Sequence, residues 1–371
     1  MGLAAKDVVF VSIHHRLNIL GFLDLSACDE KYKYSGNQSM LDIVAALEWI
    51  RDNISAFGGD PSNVTIVGES GGGGKVATLL CMPSAKDLFG KAIIMSGSIH
   101  SQNTRELTRE LGLEVLRQLG ISPDEAEKIN DVPYVELAEA GKRAEAALAA
   151  NAKSGRGLEF AGFAPTPDGE VVTQLPYTPA FASFSKEKPL IIGTTFNEFT
   201  RYPGDITMEE ASAMLRERLG NDTGRYIEAF TAAWPDCTPA DLLAVDNSVR
   251  PTTIAAADAT SQRHSAPVYN YIFNCKAKNT HIAYHGNEVD FSFNIIWNED
   301  DYSDENEDEQ HVADVMSQAW VNFAYTGNPN VDGEPTWHPY TVENGECFIF
   351  QPKCEVKNNF DREYQAILSR N

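Results

Sequence analysis

The chain has 371 residues, enough for one large α/β domain or two ordinary ones, and its 43% hydrophobic content is that of a globular protein. A net charge of −23 argues against nucleic-acid binding, which requires a basic face, and disfavours adsorption to anionic membranes. No apolar run approaches the ~20 residues of a membrane span.

In chain order, strand and helix patterns alternate, which implies a mostly parallel central sheet covered by helices on both faces. Met1-Gly2-Leu3 leads almost directly into Val8 to Ile13, a continuous apolar run expected to form a buried strand. No secretory signal is visible ahead of it; a cytoplasmic location is expected, with secretion the alternative if a signal peptide lies in a missing N-terminal portion. Between Ser39 and Phe57 the residues Met40, Ile43, Val44, Leu47, Ile50 and Ile54 recur at helical spacing, and Gly58-Gly59 closes that helix. Val64 to Val67 reads as the next buried strand, followed abruptly by Gly68-Glu69-Ser70-Gly71-Gly72 and a helix through Lys75 to Leu80. Ala92 to Met95 completes a strand–helix–strand unit.

Residues 104 to about 160 change character: Leu107, Leu111, Val115 and Leu119 repeat at helical spacing among Glu, Ala and Arg, as in an inserted helical cap. Strands resume at Pro189 to Ile192 and Val268 to Phe273, a helix spans Val312 to Tyr325, and Cys347 to Phe350 opens a small terminal hairpin. With no internal repeat or low-complexity linker, a single elaborated domain over 1–371 is expected.

The acidic run Glu299, Asp300, Asp301, Asp304, Glu305, Glu307, Asp308 and Glu309 lacks the spacing and the sixth-position glycine of an EF-hand loop, and reads as a solvated surface loop. None of the six cysteines has CxxC spacing, so no zinc site is expected. Cys347 and Cys354 could pair across the hairpin, although scattered reduced thiols are the plainer reading.

The chemistry concentrates at Ser70. Gly68-Glu69-Ser70-Gly71-Gly72 fits G-x-S-x-G, in which a serine is displayed on a sharp strand-to-helix turn and flanking glycines avoid clashes. The helix that follows aims its first N–H groups at a developing oxyanion, which singles out the Gly71 N–H. A phosphate-binding loop is the rival, but Val76 stands where Ser or Thr would hold Mg²⁺. A serine nucleophile needs a base, and the base a carboxylate, in the order Ser, Asp/Glu, His for this fold. Glu198 follows the strand ending at Ile192, and His285 follows the strand ending at Phe273. Asp205 rivals Glu198 and His281 rivals His285, whereas His264 precedes its strand and falls at the wrong end of the sheet. His14 and His15 would point to opposite faces of a strand and are read as structural.

Longer motifs carry a family resemblance. The run Trp49-Ile50-x-x-Asn53-Ile54-x-x-Phe57-Gly58-Gly59-Asp60-Pro61-x-x-Val64-Thr65-Ile66-x-Gly68-Glu69-Ser70 resembles the type-B carboxylesterases, which include para-nitrobenzyl esterases and cholinesterases. Arg16-Leu17-x-x-Leu20-Gly21-Phe22-Leu23 resembles the family's strand-loop signature near the start, and Phe163-x-Pro165-x-x-Asp168-Gly169 and Trp320-x-x-Phe323-Ala324-x-Thr326-Gly327-x-Pro329-Asn330 match later landmarks.

The resemblance implies an α/β-hydrolase fold and a serine carboxylic-ester hydrolase working through an acyl-enzyme on small or medium esters, with no cofactor. It places Ser70, Glu198 and His285 as nucleophile, acid and base, with Ser96 as a buried serine beside them. Glu69 neighbours the nucleophile, and Glu288 is expected to join a buried hydrogen-bond network. The family's His-Gly-Gly-Gly-type loop is not found, so Gly71 is left as the identified oxyanion donor. A family strand normally lying between those at Val8 and Val64 is also missing. The resemblance therefore implies that Met1 is not the functional start and that roughly a hundred residues precede it, on the scale of a domain portion. A catalytically impaired fragment or a non-catalytic cholinesterase-like binding protein is the alternative.

Overall fold

The computed structural model describes residues 2–98, 103–152, 162–178, 180–296, 302 and 306–369. A six-stranded sheet runs through these residues in the order β1 (Thr65–Glu69), β2 (Lys91–Met95), β3 (Leu190–Thr195), β4 (Val268–Phe273), β5 (Glu346–Phe350), β6 (Glu355–Asn358). The first five are parallel and β6 turns back antiparallel on β5, so the expected terminal hairpin forms. Side chains alternate across the sheet. On β2 and β3, Ile93 and Ile191 enter one core with Tyr271, Trp320 and Phe350, while Ala92, Ile94, Leu190 and Ile192 enter the opposite core with Met40, Val44 and Leu47. Two-sided burial is why these strands read as continuous apolar runs rather than alternating ones.

Helix α1 (Gln38–Asn53) carries the predicted apolar stripe into the second core and runs on as a tight turn, Ile54–Phe57, ended by Gly58 in the left-handed conformation. Helix α2 (Gly71–Leu79) links β1 to β2. Helices α3 (Arg105–Leu119) and α4 (Tyr134–Ala152) bury Leu111, Val115, Leu116, Ala140 and Ala144 in a third cluster with Ile19 and Leu25. Residues 153–160 of the expected cap lie outside the described residues. Between β3 and β4 the chain inserts α5 (Met208–Leu219), α6 (Thr223–Ala233) and α7 (Arg250–Ser261), helices whose apolar stripes are too short to stand out in the sequence. Helix α8 (Glu307–Thr326) packs Trp320 and Phe323 into the first core, and α9 (Arg362–Leu368) ends the chain.

Val8 to Ile13 departs from expectation. No strand forms there among the described residues, and Val9, Phe10 and Val11 are 44%, 48% and 37% exposed. Strand geometry needs a hydrogen-bonded ladder, and a run of apolar residues without a partner strand has none. The expected gap inside the sheet is accordingly an open edge: β1 ends the sheet, and beside it Val8 to Val11, Ile43, Leu47 and Ile66 wall an apolar groove of about 440 Å³. Without a strand, His14 and His15 do not alternate across a sheet, and His15 Nδ1 instead meets Ser39 Oγ at 2.9 Å. In the acidic run, Glu299, Asp300, Asp301, Asp304 and Glu305 lie outside the described residues. Glu307, Asp308 and Glu309 belong to the first turn of α8 rather than to a loop, where negative charge complements the exposed N–H groups of the helix end. All six cysteines are free thiols, so Cys347 and Cys354 do not pair.

Candidate active site

The residues singled out by the sequence gather beyond the carboxyl ends of the parallel strands: Ser70 directly after β1, Ser96 after β2, Glu198 after β3 and His285 after β4. Loops at this end of a parallel sheet are where such folds place ligands and chemistry. Ser70 has φ 52° and ψ −121°, a backbone state that costs on the order of 1–3 kcal/mol for a residue with a side chain. Its N–H donates to the Met95 carbonyl at 2.9 Å and its carbonyl accepts from the Gly74 N–H at 2.9 Å, so strand ladder and helix hold the turn from both sides. A Cβ on Gly68 would sit 2.4 Å from the Gly72 carbonyl, so the turn demands glycine there. At Gly72 a Cβ would meet open space. The second tight approach falls instead on Gly73, whose Cβ would lie 2.8 Å from the Gly97 Cα where α2 crosses the end of β2.

His285 bridges the other two groups. Its Nδ1 lies 2.5 Å from Glu198 Oε2 and its Nε2 2.7 Å from Ser70 Oγ. A carboxylate can only accept, so Nδ1 carries the proton and Nε2 is left to accept from the serine hydroxyl. Glu198 is buried at 1% exposure, and its other oxygen accepts from the Thr195 N–H at 2.9 Å. Its backbone is also left-handed, φ 47°, and its N–H donates to Thr195 Oγ1.

The two loops are laced together. The His285 N–H donates to the Glu198 carbonyl, the Asn197 N–H to the Ala283 carbonyl, and the Ala283 N–H to Asn197 Oδ1. Asn197, fully buried, thus holds the Glu198 and His285 loops against each other, a part that nothing in its local sequence signals. The exposed ring of Phe199 lies over His285 at a centroid separation of 4.1 Å.

The rivals fall elsewhere. Asp205 accepts from the Tyr202 hydroxyl, and His281 lies tilted against the Tyr202 ring. Burial lowers His264 to about 4, and it remains a neutral ring against Phe181.

Two further carboxyls crowd the imidazole. Glu69 Oε1 lies 3.3 Å from His285 Nε2, and burial raises its pKa. Glu288 is fully buried and accepts from Ser96 Oγ at 2.9 Å. Burial first, and then the neighbouring Glu198 charge, push its pKa well above the ordinary carboxyl range. Burial opposes protonation of His285, but the bond to Glu198 and the charges of Glu198, Glu69 and Asp246 outweigh it and raise its pKa above 6.5.

Ser70 and Gly71 open onto a cavity of about 370 Å³ walled by Phe22, Phe163, Pro165, Val172, Leu175 and Tyr177. Asp168 shapes one wall by accepting from the N–H groups of Glu170, Val171 and Val172. Lys75 also lines this cavity, and its ammonium donates to the Gly71 carbonyl at 3.3 Å. Among the described residues, the group whose ligand atoms could hold a metal is His311, Glu334 and Cys354, apart from the triad. No described helix is long and apolar enough to cross a membrane.

A mostly parallel sheet flanked by helices, with a serine on the turn after one strand, defines the α/β-hydrolase class of ester hydrolases. The sequence profile described as "Carboxylesterase family" matches residues 1–227 and 241–367, and the chain belongs to that family of serine ester hydrolases. It is 33% identical over 375 residues to para-nitrobenzyl esterase of Bacillus subtilis (strain 168), a match covering 98% of this chain and 73% of that one. Esterase FE4 of Myzus persicae is 26% identical over 405 residues, covering 98% and 69%. A solved structure described as an esterase from anaerobic Clostridium hathewayi that can hydrolyze aliphatic aromatic polyesters superimposes with a TM-score of 0.89 at 33% identity. That match covers 100% of this chain and 74% of that one. A non-catalytic binding role is not favoured by these relatives.

Proposed function

We propose that Ser70 attacks the ester carbonyl while His285 Nε2 takes its proton. His285 then delivers that proton to the departing alcohol, and water repeats the cycle on the acyl-Ser70 ester. Glu198 holds the imidazole in the required tautomer and balances the imidazolium, and the Gly71 N–H, the first free donor of α2, faces the oxyanion. The carrying observation is the unbroken chain Ser70 Oγ to His285 Nε2 at 2.7 Å and His285 Nδ1 to Glu198 Oε2 at 2.5 Å, opening onto an apolar cavity. Among the described residues the cavity walls carry no side-chain charge except Lys75, which favours uncharged esters of small to medium size.

The chain is read as a single domain in which α3 and α4 cap the site. Phe163 supports this, because it packs against the cluster of those helices and also lines the Ser70 cavity. Six free thiols favour a reducing compartment, the cytoplasm.

The test is hydrolysis of p-nitrophenyl butyrate by the chain and by Ser70→Ala, alongside covalent labelling with a fluorophosphonate. Loss of the label and of at least about 10⁴-fold in rate is expected for the variant, the scale of losing a triad member. Equal activity in both proteins would assign the chemistry to another residue.

A further inference from the structure

We propose that His311, Glu334 and Cys354 form a zinc-binding site. Nitrogen, oxygen and sulfur donors from three separate segments converge there, all within 4.8 Å of one another, with His311 Nε2 3.2 Å from Glu334 Oε1. Zinc bonds of ~2.0–2.3 Å in a tetrahedron set neighbouring ligands about 3.3–3.8 Å apart, so closing the site takes shifts of about an ångström. The residue that must move most freely is able to: the His311 side chain is 45% exposed near the start of α8.

The other two are held. Cys354 lies buried in the turn between β5 and β6, its thiol donating to the Gln351 carbonyl. Glu334, with its side chain only 13% exposed, sits in a loop clamped by Asn330, which accepts from the Trp337 N–H at 2.7 Å and donates to the Trp337 carbonyl at 3.0 Å.

Burial falls from Cys354 through Glu334 to His311, leaving the fourth coordination position toward solvent for a water molecule. A mixed sulfur, nitrogen and oxygen set suits a borderline cation such as Zn²⁺, whereas Ca²⁺ and Mg²⁺ take oxygen donors. On binding, the Cys354 thiol releases its proton to solvent and the thiolate takes the metal. None of the triad residues lies in these segments, so the ion would act as a cross-link tying α8 to the terminal hairpin.

The test is titration of chelator-treated protein with ZnCl₂ and CoCl₂, reading metal per chain by elemental analysis, cobalt absorption, and thermal unfolding. One zinc per chain, a cobalt–thiolate band and a raised Tm are expected. Cys354→Ser should abolish the thiolate band. His311→Ala, at an exposed position on α8, should weaken zinc binding by about tenfold or more and leave ester hydrolysis unchanged. Failure to bind zinc stoichiometrically, a thiolate band that survives in Cys354→Ser, or unaltered affinity in His311→Ala would each overturn the assignment.

Discussion

Glu198 uses its two oxygens for different purposes, one accepting from the Thr195 N–H and the other facing His285 Nδ1. A glutamine at 198 must offer its carbonyl to Thr195, which turns its amide N–H₂ toward Nδ1. That forces the ring proton onto Nε2, facing Ser70, where it blocks proton acceptance. Glu198→Gln is therefore expected to lower kcat on the order of 10³–10⁴-fold with little change in unfolding midpoint, measured by steady-state kinetics and urea titration. The pH dependence follows from the same geometry. Below its raised pKa His285 is an imidazolium and cannot take the serine proton, so kcat/KM rises with pH through that value. The acid limb of the profile is expected above 6.5 in the native protein, and a limb at or below that value would mean that Glu198 and Glu69 do not stabilise the charged ring.

At the scale of elements, Arg250 is the buried tie among helix, sheet and terminus. From the first residue of α7 its guanidinium donates to Asp361 at 2.7 Å and to Asn270 Oδ1 on β4 at 2.9 Å, with both charged side chains about 5% exposed or less. A buried pair adds little over a well-packed apolar pair, but removing one partner strands a charge in the interior. Asp361→Ala is expected to cost about 3–5 kcal/mol in urea denaturation, whereas breaking the exposed pair of Arg51 and Asp52 should leave the unfolding midpoint nearly unchanged. Equal effects from the two would show that Arg250 finds water or another acceptor.

For the whole molecule the dominant electrostatic fact is a net charge of −23, which repels itself most strongly in the compact state. Salt shortens the reach of that repulsion from ~30 Å at 0.01 M to ~10 Å at 0.1 M. Raising NaCl across this range is expected to lift Tm by about 2 °C or more, and a falling Tm in differential scanning calorimetry would mean that local ion pairs outweigh the net charge.

Much of this architecture is legible in the chain because the relevant signals are local. Strands β2 to β5 are buried on both faces, so each carries a run of apolar residues, broken in β4 by Asn270, and the turn at Ser70 needs glycine at Gly68 whatever surrounds it. Glu198 and His285 could be chosen because the order of strands places one loop after each. The failure at Val8 to Ile13 has the opposite cause: an apolar run records a tendency to be buried, while a strand exists only with a partner to pair with, and β1 ends the described sheet. Tertiary structure alone decided that Asn197 laces the Glu198 loop to the His285 loop, that Glu288 is buried against Ser96, and that His311, Glu334 and Cys354 meet. Each of these depends on atoms far apart in the chain being brought within hydrogen-bond or coordination reach, which no spacing along the sequence encodes.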